Sequence, residues 1–321
     1  INKMNIAPQT VVHSRLKKSD IDDAISLDAS WIGLFFDIST DRLSTKYGFN
    51  EEKSLSLINE SILYAKKNGL KVRFTAEDAS RTNLDYLLKM GEIVEKAGAD
   101  RFGFADTVGI LHPQSVSKVI TKLVNHLHIP VHVHFHNDFG LATANAFQAV
   151  QSGASCVDVT INGLGERCGI TSLAEITASL DELLHLKNSW NFKLISGLST
   201  FVDEITNKID HNIRPVTGYN SFTHNAGIHA ASVIKDPSTY ESMCPEKFGQ
   251  TRKIVIDKFS GKEAVDYRLK KLGFNLPNEF LIQVLNVIKN KPDITDWTDE
   301  AILSVIMGIQ KESEKKSSKT A

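Results

Sequence analysis

Residues 131–152 read VHVHFHNDFGLATANAFQAVQS, a stretch that changes its hydrophobic periodicity half-way along. Val131–Phe135 alternates apolar residues with histidine, which predicts a β-strand with two different faces. The polar run NDFG then ends the strand, and Leu141–Ser152 has the apolar spacing of an amphipathic helix. A strand, a polar turn and a helix in this order predict one βα unit of a parallel sheet.

The same unit recurs along the first 190 residues. Five further apolar runs predict strands: Thr10–His13, Trp31–Ile38, Lys71–Thr75, Arg101–Ala105 and Cys156–Ile161. Amphipathic segments between them predict helices: Ser19–Leu27, Glu52–Asn68, Leu84–Ala97 and Pro113–Leu127. This alternation fits an open doubly wound sheet or a closed (β/α)8 barrel, and in both folds function lies at the C-terminal ends of the strands. No GxGxxG or Walker lysine motif follows a strand, which disfavours nucleotide binding.

The alternation fades after about residue 190, where helices with turn-rich connections are expected. We predict a partial TIM-barrel domain at residues 1–190, a mainly helical C-terminal subdomain at 191–310 and a frayed tail at 311–321. Six strands can be counted where a barrel needs eight. The predicted fold is therefore an α/β protein, a (β/α)8 barrel that lacks its first two strands in this chain.

The overall composition indicates a globular protein without a strong electric field of either sign. The 321 residues are 41% hydrophobic and 23% charged, and 37 Lys and Arg are balanced by 38 Asp and Glu. This balance disfavours nucleic acid or an anionic membrane as a partner, and apolar runs such as Trp31–Phe36 are too short to span a bilayer. Three cysteines without a CxxC pair indicate reduced thiols, so a cytoplasmic location is expected.

The histidines of the opening stretch indicate a metal site. Because side chains alternate along a strand, His132, His134 and His136 point to the same side. Two imidazoles two residues apart at a strand end can bind one divalent ion at about 2.0–2.2 Å each. A polar strand end with hydrogen-bonded histidines is the alternative, and the third histidine with the following Asn-Asp favours the metal.

Two other strand ends carry groups suited to a carboxylate substrate. In RFTAED, residues 73–78, the side chains of Arg73, Thr75 and Glu77 share one face, and a guanidinium binds a carboxylate through paired donors. A structural Arg–Glu pair explains the same residues equally well. In FADTVG, residues 104–109, Thr107 can donate to a carboxylate while Asp106 orders the turn.

Two glycine-containing segments complete the set of candidates. NGLGERCG, residues 162–169, allows close backbone approach to a ligand, with Glu166 and Arg167 as an internal ion pair that fixes the loop, although an ordinary turn has the same composition. The second segment, THNAGIH at residues 223–229, is followed by Tyr240. His229 and Tyr240 can transfer protons if this region covers an active site, whereas a surface histidine is the alternative.

Taken in this order, HFHNDFGLATANA, GLGERCGIT and HNAGIHA resemble the family of metal-dependent Claisen-type enzymes that contains isopropylmalate, citramalate and homocitrate synthases and the hydroxymethylglutaryl-CoA lyases. The resemblance extends from about His13 to Gly273. It implies a (β/α)8 barrel whose C-terminal subdomain reaches over the neighbouring protomer's barrel, and therefore a homodimer with shared active sites. The Gly-rich segment differs from the cysteine-containing signature of the lyases, which favours a synthase.

The resemblance also implies roles for individual residues. His134 and His136 would be the metal ligands, for Zn, Mn or Mg, with His132 in a supporting role. His229, assisted by Tyr240, would be the catalytic base or its relay and would act on the partner protomer's site. Glu77 would position the substrate or move protons.

The substrate-binding residues implied by the resemblance are His13, Arg73, Thr75 and Thr107, with Arg42 as a further carboxylate contact. The polar pocket resembles the HxR and RFSxED patterns of homocitrate synthases, and GERCGIT resembles their GERxGIT. We therefore expect condensation of acetyl-CoA with 2-oxoglutarate. Another 2-oxo acid, as in isopropylmalate or citramalate synthases, is the alternative.

The chain departs from the family at its start. Family members begin with a strand bearing a D-x-T-L-R-E-G-type motif, whose Asp completes the metal site and whose Arg stabilises the enolate oxygen, and residues 1–9 do not match it. Two histidines alone would hold a metal weakly, so this chain by itself is expected to be inactive. A partial sequence of a normal enzyme, a split protein completed by another polypeptide and a non-catalytic fragment are the alternatives left open.

Overall fold

The structure is a computed structural model that describes residues 8–39, 42–207, 212–291, 293–294 and 296–317. The chain divides between Lys187 and Asn188 into two compact units, called here the first and the second unit. None of the helices among the described residues is long and apolar enough to cross a lipid bilayer.

The first unit alternates strands and helices, as predicted. Its elements are β1 (Val11–Arg15), α1 (Lys18–Ser26), β2 (Trp31–Asp37), α2 (Glu51–Lys67), β3 (Lys71–Glu77), α3 (Leu84–Lys96), β4 (Arg101–Asp106), α4 (Pro113–His126), β5 (Val131–Phe135), α5 (Ala142–Gln151), β6 (Cys156–Val157) and α6 (Leu173–Glu182). The six strands form one parallel sheet in the consecutive order β1 to β6. Consecutive parallel strands, each followed by a helix, form the wall of a (β/α)8 barrel, so the predicted fold class is confirmed for the described strands.

The strands β2 to β5 are mostly apolar and most of their residues are buried. In β2 every side chain is buried except Phe35, which is partly buried. Members of the core include Ile32, Leu34, Phe74, Phe102, Phe104 and Val133, all at most 1% exposed. Removal of such continuous apolar runs from water is the main stabilising contribution to a parallel sheet.

Polar side chains at the strand ends start the helices. After β5, the Asn137 Oδ1 accepts a hydrogen bond from the backbone amide of Ala142 at 3.0 Å, at the first residue of α5. Before α3, the Asn83 Oδ1 accepts from the amides of Asp85 and Tyr86 at 2.9 and 3.3 Å. Each side chain satisfies amides that a helix leaves unpaired at its beginning.

The second unit is mainly helical, as predicted. It contains α7 (Ile195–Thr206), β7 (Thr223–His224), α8 (Gly227–Lys235), β8 (Lys253–Ile254), α9 (Lys262–Lys271), α10 (Asn278–Lys289) and α11 (Asp299–Ser317). Its core includes the buried side chains of Ile256, Val265, Val284 and Trp297. Of the segment predicted as a frayed tail, residues 311–317 belong to α11, and residues 318–321 lie outside the described part of the chain.

Candidate metal and substrate site

The register of the first three strands brings a histidine and an arginine together. His13 of β1, Gly33 of β2 and Arg73 of β3 are direct neighbours across the sheet. The Nη2 of Arg73 lies 2.5 Å from the Nε2 of His13, and the Arg73 side chain is buried. Two residues predicted to bind a substrate carboxylate therefore lie in contact.

Gly33 makes this contact possible. A Cβ atom at Gly33 would lie 3.0 Å from the Cδ2 of His13 and 3.1 Å from the Nη2 of Arg73. Both distances are shorter than the 3.5–4.0 Å of a relaxed contact between heavy atoms. The side chains on the flanking strands thus occupy the volume that any other residue at this position would need.

The predicted metal ligands also lie together. His134 is in β5 and His136 follows it directly, and their Nε2 atoms are 3.2 Å apart. Both rings are partly buried, whereas His132, one alternation deeper in the strand, is 4% exposed. The alternation of the strand thus orders the three histidines from the interior to the rim.

Asp158, which is not among the predicted site residues, joins these two groups. It follows β6, and its Oδ1 lies 2.8 Å from the Nε2 of His132 and 3.3 Å from the Nη1 of Arg73. Its Oδ2 lies 3.1 Å from the Nδ1 of His134. The partial burial of Asp158 raises the pKa of this carboxyl, but hydrogen bonds from His132 and His134 and the charge of Arg73 outweigh burial and hold the pKa well below its usual range.

The histidine pair fits two ligands of a divalent metal ion. A carboxylate only accepts hydrogen bonds, so the Nδ1 of His134 carries the hydrogen and its Nε2 has the free lone pair. Two nitrogens 3.2 Å apart, each about 2.1 Å from one ion, would subtend roughly a right angle, as in common coordination geometries. Among the residues that the structure describes, no group of three or more His, Cys, Asp or Glu could hold a metal ion. The pair therefore supplies two nitrogen ligands of the kind that a divalent ion takes.

Glu77 lies in a second polar cluster at the end of β3. Burial, followed by the nearby charge of Asp37, raises the pKa of the Glu77 carboxyl. Arg42 pairs with Asp37 at 3.0 Å and with Asp78 at 3.7 Å, and both of these carboxylates are fully buried. Arg42, predicted as a substrate contact, is thus engaged by two carboxylates of the protein, and its substrate role stays a prediction.

The two predicted threonines differ in their surroundings. The Oγ1 of Thr107 accepts a hydrogen bond from the amide of Asp78 at 2.8 Å. Thr75 is partly buried on β3 and packs against Gly103, where an added Cβ would lie 2.6 Å from the Thr75 Oγ1. The buried Asp106 accepts from the amides of Ile110 and Leu111 at 3.2 and 2.9 Å, so it orders the turn after β4.

The Gly-rich loop is tied to the end of the histidine strand. Arg167 donates to the two carboxylate oxygens of Asp138 at 2.7 and 2.8 Å, and also to the carbonyl oxygen of Thr107 at 2.8 Å. Adjacency in the sequence predicts an ion pair of Arg167 with Glu166, whereas in the structure Arg167 pairs with Asp138. A residue 29 positions away along the chain is a tertiary partner that adjacency cannot identify.

His229 and Tyr240 lie together in the second unit. Their ring centroids are 4.2 Å apart at an angle of 35°, and both side chains are exposed. The neighbouring Glu241 is partly buried, with its side chain 4% exposed, and it accepts from Arg252 at 2.6 Å and from His224 at 3.0 Å. Burial raises the pKa of Glu241, but the hydrogen bonds from Arg252 and His224 outweigh it, and the pKa lies below its ordinary value. Tyr240, Glu241 and His224 line a cleft of about 420 Å³.

Comparison with known families and sequences gives matches over most of the chain. Residues 1–202 match the family HMGL-like, and residues 216–296 match the family described as homocitrate synthase post-HMGL domain-like. A homocitrate synthase of Sulfurisphaera tokodaii is 42% identical over 301 residues, which are 94% of this chain and 65% of that protein. A homocitrate synthase of Pyrococcus horikoshii is 40% identical over 297 residues, 92% of this chain and 81% of that protein. The chain thus spans slightly less than two thirds of the length of the Sulfurisphaera relative.

Solved structures with a similar fold are more distant in sequence. An HMG-CoA lyase of Bacillus subtilis has a TM-score of 0.56 at 18% identity and covers 63% of this chain and 71% of its own. A hydroxymethylglutaryl-CoA lyase of Pseudomonas aeruginosa has a TM-score of 0.56 at 14% identity, with 64% of this chain and 72% of its own covered. At such identities the similarity concerns the fold alone.

Proposed function

This chain belongs to the HMGL-like family, and we propose that its function is that of a homocitrate synthase, which condenses acetyl-CoA with 2-oxoglutarate to give homocitrate and CoA. The observation that carries the proposal is the pair His134 and His136, 3.2 Å apart, linked through Asp158 to Arg73. The homocitrate synthases that are 40% and 42% identical to this chain support the same reaction.

The substrate carboxylates are proposed to bind at Arg73 and His13. Arg73 is buried and its Nε has no hydrogen-bond partner among the described residues, so it retains a donor for a bound anion. The guanidinium of Arg73 provides the positive charge and paired donors for a carboxylate, and the His13 ring in contact with it adds a further polar group. Thr75 and Thr107 supply further hydroxyl groups in this proposal. Arg42 is the remaining candidate for a contact with a substrate carboxylate.

His134 and His136 are proposed to hold a divalent ion, Zn, Mn or Mg. Such an ion, when bound, acts as a Lewis acid that polarises the carbonyl of the 2-oxo acid. When the Nδ1 of His134 donates to Asp158, the Nε2 of the neutral ring keeps its lone pair. A neutral imidazole binds metal ions through such a lone pair.

Proton transfer is proposed to involve His229, Tyr240 and Glu77. The base removes a methyl proton from acetyl-CoA, the enolate carbon attacks the C2 carbonyl carbon of 2-oxoglutarate, and hydrolysis of the thioester releases CoA. The ring of Tyr240 packs on His229 and restricts its orientation. We propose that these two residues act on the barrel of a partner protomer in a homodimer, as the resemblance implies, and that Glu77, whose pKa burial raises, handles a proton near the substrate.

The experiment uses the protein encoded by the complete reading frame, incubated with acetyl-CoA, a divalent metal and one 2-oxo acid at a time. Release of the CoA thiol is followed with a colorimetric thiol reagent. We expect 2-oxoglutarate to give the fastest release. If 2-oxoisovalerate or pyruvate gave release and 2-oxoglutarate gave no more than buffer, the assignment to homocitrate would be wrong.

A further inference from the structure

We infer that Asp158 is a positioning residue that fixes, with one carboxylate, both the metal-binding nitrogen of His134 and the orientation of Arg73. The inference rests on the proposed function, because it assigns the metal to His134 and the substrate carboxylate to Arg73. It goes further by making the two binding events depend on the same side chain. A substrate that contacted both positions would have an affinity that depends on how His134 and Arg73 are placed relative to each other.

The first half of the inference follows from the Oδ2 of Asp158. This oxygen lies 3.1 Å from the Nδ1 of His134, and a carboxylate can only accept there. The hydrogen of the neutral ring is therefore on Nδ1, and the lone pair of Nε2 faces the Nε2 of His136 at 3.2 Å. A carboxylate that orients a metal-binding histidine in this way also increases its basicity.

The second half follows from the Oδ1 of Asp158. This oxygen lies 3.3 Å from the Nη1 of Arg73 and 2.8 Å from the Nε2 of His132. Arg73 and His132 are 8% and 4% exposed, so the planar guanidinium is held between the buried His132 on β5 and the partly buried Asp158 after β6. With Nη1 fixed by Asp158 and Nη2 by His13, the orientation of the Arg73 plane is determined.

The substitution Asp158→Asn tests both halves. An asparagine amide keeps the shape, but the NH2 group that replaces one oxygen donates instead of accepting. Where that group faces the Nδ1 of His134, the ring takes the opposite tautomer, with the hydrogen on Nε2. We expect the Kd for Mn²⁺ alone, measured by calorimetry, to rise about 10- to 100-fold, as is usual when the hydrogen-bond partner of a metal ligand is changed. We also expect the KM for 2-oxoglutarate to rise.

Two further variants separate a positioning role from a general loss of charge or stability. Arg73→Gln should raise the KM for 2-oxoglutarate and leave the Mn²⁺ Kd within about twofold, because Asp158 and His134 keep their contact. Glu92→Gln removes one carboxylate from the surface of α3, where Glu92 contacts Lys96 and His126, and should change neither quantity. A Mn²⁺ Kd for Asp158→Asn within about twofold of the wild type would overturn the inference.

A second measurement needs neither turnover nor metal. In metal-free protein labelled with ¹⁵N-histidine, at a pH where the imidazoles are neutral, the spectrum of His134 should show the hydrogen on Nδ1. The opposite tautomer in the wild type would overturn the inference even if Asp158→Asn did not fold. Absence of thiol release with every 2-oxo acid would instead contradict the proposed function, while the Mn²⁺ affinity and the tautomer would still decide the role of Asp158.

Discussion

Replacement of Gly33 by alanine should disrupt the His13–Arg73 contact, and the free-energy cost can be worked out from the structure. The added Cβ would lie 3.0 Å from the ring of His13 and 3.1 Å from the Nη2 of Arg73, so these groups must move by about 0.5 Å to reach a relaxed contact. Insertion of a methyl group into a packed interior costs about 1–3 kcal/mol. The backbone itself tolerates alanine, since Gly33 lies in the middle of β2 without a positive φ.

The free-energy cost of the Gly33→Ala substitution should be divided between the stability of the fold and the affinity for the substrate. If about 1.4 kcal/mol of it is expressed in binding, the KM for 2-oxoglutarate rises about tenfold. The assays are steady-state kinetics and hydrogen exchange of the β2 amides, which should exchange faster in Gly33→Ala. The control is Gly197→Ala in α7, where an added Cβ meets nothing within 4 Å. The control should leave the KM unchanged and stabilise the helix by roughly 0.5–1 kcal/mol. An unchanged KM and unchanged β2 exchange in Gly33→Ala would refute the reasoning.

Three other predictions concern the metal pair, the acid stability of the second unit and a helix cap. His134→Ala should abolish metal-dependent thiol release and Mn²⁺ binding in calorimetry, and full turnover in this variant would contradict the ligand assignment. The folded-state pKa of Glu241 is below its ordinary value of 4.5, so its stabilising contribution is complete above that pH and is lost as the pH falls below it. Acid unfolding followed by circular dichroism should therefore show a smaller dependence on pH in Arg252→Gln, and an identical acid transition would contradict the role of the Glu241 contacts. Asn83→Ala removes the acceptor for two amides at the start of α3 and should lower the free energy of unfolding in urea by about 1 kcal/mol, whereas a change below roughly 0.3 kcal/mol would show that the cap contributes little.

Periodicity predicts the central strands of the barrel wall well because most residues of β2 to β5 are buried. The predicted strand at Val131–Phe135 has the same bounds in the structure, and the strands that begin at Trp31, Lys71 and Arg101 begin where predicted. The last strand is shorter than predicted, since only Cys156–Val157 pairs with β5. The backbone amide of Asp158 still donates to the carbonyl oxygen of Val133 at 2.9 Å, while its side chain contacts His132, His134 and Arg73. Helix α6 has no counterpart among the predicted helices, because in LAEITASLDE (residues 173–182) the β-branched residues and serine obscure the helical pattern.

The sequence predicts the site residues that lie at the end of a single strand. It does not predict the contacts between residues on different strands. Alternation along β5 suffices to place His134 and His136 side by side. Asp158 is 24 residues from His134 and 85 from Arg73, so its contacts depend on the closure of neighbouring strands and have no local signature. The acidic residue at position 158, inside the predicted strand Cys156–Ile161, is the available signal.

The most direct measurement is identification of the product formed from 2-oxoglutarate and acetyl-CoA labelled with ¹³C in the acetyl group. The protein from the complete reading frame is incubated with both substrates and Mn²⁺, and the acids are analysed by mass spectrometry. We expect homocitrate that carries both labelled carbons, and no such product from His134→Ala. Labelled acetate without labelled homocitrate, or a labelled product only when 2-oxoisovalerate or pyruvate replaces 2-oxoglutarate, would contradict the proposed function.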